Sequence, residues 1–360
     1  MRPRYKNLIN YGLSIGLTAV FLYFAFRGTD LVSLWDILSQ TNYVWALSLF
    51  PLLMISNMFR AWRWKYFLQP IKKGISFRNL FSATMVGYML NNVLPRLGEV
   101  GRPYAIAKLE GVSRTAAFGT IFMERVFDIL SFMIVIALIP LIYSGPLTET
   151  FPWLEETGVW LTIITLFFLA LFTFLMLRRD IVIKFLQFVT RRLSPGRAQF
   201  VEYITHSFLD GFLFLKEPRH YFMIIILSVL VWVFYIIMMY VPFYAYNMTE
   251  RYSLDFGTAL VVQAISTIGF ILPTPGGTGS YHYFVIQTLT QLYKVDEEVA
   301  RSYATVTHAI GFLGTMIVGI FYFLRDKLHL GDFAKRDLNQ VASAEHSSDP
   351  SSLPGQSKKQ

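Results

Sequence analysis

The hydrophobic positions of this 360-residue chain fall in long unbroken runs, not in alternation. A helix crosses a bilayer with roughly 17–25 apolar residues. Six segments reach that length, at 8–26, 43–59, 116–143, 158–177, 221–246 and 300–324. Two further apolar stretches, 79–95 and 256–293, are interrupted by proline and glycine and read as re-entrant hairpins. The pattern predicts an all-α polytopic membrane protein with one integral domain over 1–336. Residues 181–217 place Ile181, Phe185, Phe188 and Val189, then Phe200, Ile204, Phe208, Phe212 and Leu215, at helical spacing. That spacing fits two amphipathic helices lying in the interface, or packed on the bundle. The tail 337–360 is rich in Ser, Pro, Gln and charge, and is expected to be disordered.

The two interrupted segments look alike. One reads VGYMLNNVLPRLGE from Val86 to Glu99, the other IGFILPTPGG from Ile268 to Gly277. Each passes from an apolar stretch through a Gly-aromatic pair to Leu-Pro and glycine. An offset of 178 residues aligns Pro95 with Pro273 and Gly98 with Gly276. Backbone released by proline and glycine has no partner in lipid, so such breaks are tolerated only inside protein or beside a wet cavity. Paired broken segments in two halves of a membrane chain point to a transport site. Ser113 and Asp296 stand as N-caps of the helices that follow the two hairpins.

Charge sets the expected orientation. Charged residues are only 15% of the chain, and the net charge is +9. The basic residues gather between spans, at Arg2 to Lys6, Arg60 to Arg78, Arg178 to Arg197 and Arg325 to Arg336, whereas the 144–157 loop has no Lys or Arg. By the positive-inside rule these clusters and both termini are cytoplasmic, in a plasma (inner) membrane. The first hairpin then enters from the cytoplasm and the second from outside, an inverted repeat. The basic excess is thus topological, with anionic lipid rather than nucleic acid as its partner.

Charges inside the apolar runs carry the candidate chemistry. Glu124, Arg125 and Asp128 lie within the third span. Each would cost roughly 2.5–3.5 kcal/mol if unpaired at mid-membrane. Two acids and one arginine leave an excess acid, and Arg102, Arg96 or Lys108 is the expected second cation. Asn91, Asn92, Arg96, Glu99 and Arg102 follow the first break and form a candidate phosphate site, since arginine grips phosphate in a fork. The bland alternative is a Glu99–Arg102 pair and a structural ion cluster. Around the second break stand Pro273, Pro275, Gly276, Gly277, Thr278, Tyr281 and His282, with Thr274, Ser280, Gln263 and His308 near. No nucleotide loop, metal-ligand spacing or nucleophile elbow is present, so neither cofactor nor metal is expected. The chain has no cysteine.

The segments NVLPRLGEVGR from Asn92 to Arg102, Glu124-Arg125 with Asp128, and PTPGGTG from Pro273 to Gly279 resemble the membrane region of lysylphosphatidylglycerol synthases and its stand-alone, flippase-like relatives. The resemblance covers residues 8–328. It implies the lipid-translocating half without the soluble aminoacyltransferase domain, and a separate lipid-modifying enzyme as partner. That family often carries an acid a few residues after the Pro-Gly-Gly turn. His282 stands there instead, which favours an anionic phospholipid or polyprenyl-phosphate-linked lipid as cargo. The resulting expectation is a flippase-like translocase working without ATP, transporter-like rather than enzymatic. The alternatives are an intramembrane lipid-headgroup transferase, with Glu124 or His282 as base, and a non-catalytic membrane partner of a glycosyltransferase or lipid synthase.

Overall fold

The computed structural model describes residues 16, 18–24, 31–143 and 213–329, with single helical positions between 159 and 211. Most of the 158–177 span and of the 181–217 helices, the 337–360 tail and the start of the 8–26 span lie outside the described residues. What is described is helical, with no strand. The helices are α1 (Leu31–Gln40), α2 (Tyr43–Leu47), α3 (Leu49–Leu68), α4 (Phe77–Val93), α5 (Leu97–Glu110) and α6 (Arg114–Ile142). After them come α7 (Tyr221–Ala245), α8 (Met248–Arg251), α9 (Phe256–Ile271), α10 (Ser280–Gln287) and α11 (Glu297–Arg325). Among the described residues, three stretches are long and apolar enough to cross a membrane: Tyr43–Leu68, Pro218–Ala245 and Glu297–Arg325. At 1.5 Å per residue the 29-residue α6 reaches about 43 Å. The protein is an all-α polytopic membrane protein.

Side-chain caps close some of the helix starts. Ser113 caps α6 by accepting the Ala116 N–H. Asp255 and Thr258 form a capping box on α9. Asp296 differs from expectation. Its side chain does not cap α11; it accepts from Arg251 at 2.5 Å and from the Tyr252 hydroxyl at 2.7 Å. At the base of the first hairpin, Glu110 closes α5 onto the start of α4. Its carboxylate accepts the Ser76 N–H at 3.0 Å and the Asn79 amide at 2.8 Å.

The two breaks are built differently. The first is a turn of three residues, Leu94 to Arg96, between α4 and α5. The paired arm Leu97–Glu110 therefore extends beyond the 79–95 boundary that apolarity suggested. Arg96 makes the turn in the left-handed region, with φ 64°. Gly98 sits so close to α4 that a Cβ would collide with the Gly87 carbonyl oxygen, and the Asn91 side chain accepts the Gly98 N–H at 2.7 Å. The second break runs from Leu272 to Gly279 through a short turn at Pro275–Gly277. There Gly276 itself is left-handed, at φ 57°. Ser280 stitches this break, donating to the Gly269 carbonyl at 2.7 Å and lying 2.7 Å from the Thr274 hydroxyl. A single π turn at Thr288–Leu292 leads on toward α11.

Each hairpin has its own hydrophobic core. Around α4 and α5 the core takes Ala117 to Val126 of α6 and Ile224 of α7. Around α9 and α10 it takes Phe132 to Ile139 of α6, Trp232 to Phe243 of α7, and Val299 to Ala304 of α11. The cores thus occupy opposite ends of α6 and α7. Helix α11 traverses them in reverse order, since Met316, Tyr322 and Phe323 pack on the first. It runs antiparallel to α4. Asn92 bonds Phe312 and Thr315, Gly319 lies against Met89 and Met85, the Phe81 and Tyr322 rings meet edge to face, and Ser82 donates to Asp326.

Two substitutions test the first turn. Gly98→Ala should destabilise the protein by about 1–3 kcal/mol, as overpacking does. The loss is read as a lower thermal midpoint in detergent. Arg96→Gly removes left-handed strain and should leave that midpoint unchanged or higher. Equal losses from both would mean that backbone approach does not set the turn.

Candidate functional site

The described charges converge where α3, α5 and α6 meet. Glu124 and Asp128 are four residues apart on α6 and so share a face. Arg60 and Arg63 are three apart on α3 and do the same. The Arg60 Nε meets Glu124 at 2.8 Å, its Nη1 donates to the Tyr235 hydroxyl at 2.6 Å, and its Nη2 pairs with Asp128. Arg63 reaches Asp128 at 2.5 Å, Glu124 at 3.4 Å and the Ser228 hydroxyl at 3.0 Å. Arg102 of α5 closes the set. It pairs with Glu124 at 2.9 Å, and its guanidinium lies over the Trp64 ring at 3.9 Å. Trp64 is held in turn by donating to Thr120 at 2.9 Å.

This arrangement corrects two readings. Arg60 and Arg63 are not flanking cytoplasmic charges after a span ending at 59. They lie inside α3, which continues to Leu68, and both are buried. Their partners on α6 make that burial tolerable. The charge balance is also reversed. The expected excess acid is met three times over, and the group ends with cation in excess. Of the three proposed second cations only Arg102 serves. Arg96 is exposed, with no ion-pair partner among the described residues, and Lys108 donates to the Lys327 carbonyl at 2.5 Å. Glu99 pairs with Arg125 at 3.6 Å, not with Arg102, and Arg125 also meets Asp128 at 3.3 Å. Sequence reasoning missed Arg60 and Arg63 as members of the site, together with Tyr235 and with Tyr88, whose ring centroid lies 5.8 Å from the Arg60 guanidinium. The available signal was the i, i+3 arginine pair in a helix whose apolar pattern runs on past it.

Asn91 and Asn92 are already engaged. One side chain holds the Gly98 N–H; the other ties α4 to α11, donating to the Phe312 carbonyl at 3.1 Å and Thr315 at 2.8 Å. Residues of the second break form a separate, uncharged group. Pro275, Gly276 and Gly277 make the turn, Pro273 is exposed before it, and Thr278 follows it half-buried. The buried Tyr281 hydroxyl lies 2.9 Å from that of Thr307. The His282 Nδ1 accepts the Gly279 N–H at 3.4 Å, and its ring centroid lies 4.6 Å from that of His308. His308 donates to the Gly276 carbonyl at 3.0 Å. The two groups approach at one place: a Cβ on Gly276 would meet the Asn92 Oδ1 at 2.8 Å and the Phe312 ring at 2.9 Å.

The cluster's energetics divide by exposure. Removing one partner of a buried pair strands a charge, so Glu124→Gln should destabilise by about 3–5 kcal/mol. Arg125 and Glu99 are half-exposed, at 40% and 37% of their side chains. Arg125→Gln should therefore cost no more than about 1 kcal/mol. Unfolding in detergent measures both, and a small loss for Glu124→Gln would show that its carboxylate does not hold the three arginines together.

Comparison with known proteins covers the same region. A family model described as the lysylphosphatidylglycerol synthase TM region matches residues 11–319. A UPF0104 membrane protein of Methanocaldococcus jannaschii is 24% identical over 329 residues, covering 87% of this chain and 93% of that protein. A UPF0104 membrane protein of Methanothermobacter thermautotrophicus is 25% identical over 303 residues, covering 80% of this chain and 84% of that protein. The family match takes in both broken segments and the whole of α6 with its charges. The chain belongs to the family of the lysylphosphatidylglycerol synthase transmembrane region.

Proposed function

We propose that this protein is a lipid translocase, moving a phospholipid or lipid-linked headgroup between leaflets without ATP. One observation carries the reading: the arginines of α3 and α5 and the acids of α6 gather beside a broken helix, inside helices otherwise apolar. A protein that only anchors a partner enzyme gains nothing from such a group, because charges at depth are costly. A transferase needs a base, and Glu124 is committed to three guanidiniums. The headgroup would travel along the polar residues of the two hairpins while its chains stay in lipid. Support for hairpins entering from opposite faces comes from the cores, which lie at opposite ends of α6 and α7. The proposed location is the plasma membrane, with both termini cytoplasmic, and the cargo is an anionic phospholipid or polyprenyl-phosphate-linked lipid. A separate lipid-modifying enzyme would supply or consume it.

Vesicles containing the purified protein and a headgroup-labelled phospholipid test the activity. Label should move between leaflets, and Glu124→Gln should slow it at least tenfold, with folding checked beside it by thermal unfolding. Movement at the wild-type rate in folded Glu124→Gln would remove the cluster from the path. Chemical conversion of the lipid would turn the reading toward a transferase.

Orientation has its own test, made simple by the lack of native cysteine. A cysteine at Ser144 or Thr148 should react with an impermeant thiol reagent in intact cells, and one at Ser194 should not. The reverse pattern would invert the topology.

A further inference from the structure

Taking the cluster as the headgroup site of the translocase reading, we propose that Arg63, Arg102 and Arg125 bind one singly charged phosphate group, of phosphodiester type, which enters beside Glu99. The charge count leads there. Arg60, Arg63 and Arg102 face Glu124 and Asp128, which leaves one buried positive charge. The half-exposed Arg125 and Glu99 cancel each other. A dianionic monoester would overshoot this balance, and a zwitterion brings a cation the site does not need.

Hydrogen-bond bookkeeping gives the same answer independently. Four buried guanidinium nitrogens have no hydrogen-bond partner: Arg63 Nε, Arg102 Nε and Nη2, and Arg125 Nε. The acceptors opposite them are almost used up: of the carboxylate oxygens of Glu124 and Asp128, Glu124 Oε2, 2.9 Å from Arg102 Nη1, makes no hydrogen bond. Glu124 Oε1 meets Arg60, Arg63 and Arg102, while its Oε2 meets Arg102. Asp128 Oδ1 meets Arg63, and its Oδ2 meets Arg60 and Arg125. Buried polar groups are rarely left unpaired, and four idle donors against one idle acceptor leave the site short of acceptor oxygens as well as of negative charge. A phosphate supplies both, and guanidinium forks match its oxygens. The idle donors come from α3, α5 and α6, which suits a tetrahedral group better than a planar carboxylate.

Access follows the exposure gradient. Side chains of Glu124 and Arg63 are fully buried, Asp128 is 17% exposed, Glu99 37% and Arg125 40%. The open end is thus the Arg125–Glu99 pair, whose 3.6 Å separation is loose. An entering phosphate would take Arg125 from Glu99 before reaching Arg102.

The test uses the full-length protein, delipidated in a non-ionic detergent, and follows its thermal midpoint as ligand is added. Short-chain phosphatidylglycerol, a singly charged phosphodiester, should raise the midpoint by several degrees. Short-chain phosphatidic acid, phosphatidylcholine and a fatty acid should do so far less. Arg102→Lys keeps the charge but loses the fork, and should weaken binding at least tenfold. Arg125→Gln, whose fold is not at risk, should weaken it severalfold, and the surface control Lys73→Gln should not. Dimethyl phosphate, a free singly charged phosphodiester, giving the same shift as phosphatidylglycerol would support the site with a free anion as its source. Undiminished binding by folded Arg102→Lys and Arg125→Gln overturns the proposal, as does equal stabilisation by the fatty acid. Should lipid cross between leaflets while no phosphate compound shifts the midpoint, this inference fails and the translocase reading stands. Should phosphate bind while no lipid crosses, the site stands and the translocase reading fails.

Discussion

An N–H or C=O group that leaves a helix inside an apolar medium must find another partner, and both breaks of this chain are organised around that requirement. At the first, the Asn91 side chain takes the Gly98 N–H. At the second, Ser280 and His308 take the Gly269 and Gly276 carbonyls. Asn92 then joins α4 to α11, where its amide meets the Phe312 carbonyl and Thr315. The polar residues of the break regions are therefore largely structural, and this narrows the list of groups free to handle a ligand.

Buried charge obeys the same rule with larger energies. Three arginines and two acids from α3, α5 and α6 hold one another at a place where none would be tolerated alone. Such a group fixes the hairpin against α3 and α6, because each pairing spans two helices. It also leaves a surplus of cation and of unpaired donors. The proposed binding site uses the same residues as this staple, so stability and activity have to be measured together in any variant.

The two breaks resemble each other in sequence but differ in detailed geometry. Gly98 lies within the first turn of α5, pressed on Gly87, whereas the aligned Gly276 is left-handed in a short turn packed against Asn92 and Phe312. Among the described residues, charge gathers beside the first break, while hydroxyls and imidazoles surround the second. In the proposed translocation, a headgroup passing between them moves from an ionic to a neutral polar environment.

The sequence alone determined the membrane class, the helices at 43–59, 116–143, 221–246 and 300–324 to within a turn or two apart from the longer α3, and the two breaks. Apolar runs of bilayer length and Leu-Pro-glycine interruptions are local signals, so one dimension suffices to read them. Glu124 and Asp128 were legible as a pair because i, i+4 spacing is fixed by the helix itself. Their partners were not. Arg60 and Arg63 sit more than sixty residues away and look, along the chain, like the basic flank of a span. Asn91 and Asn92 looked like headgroup ligands until their backbone and hydroxyl partners were in view. Which charges meet, and which sign is left over, depends on how α3 and α5 dock on α6. That docking is set by long-range packing, such as Trp64 between Arg102 and Thr120, and no local pattern encodes it.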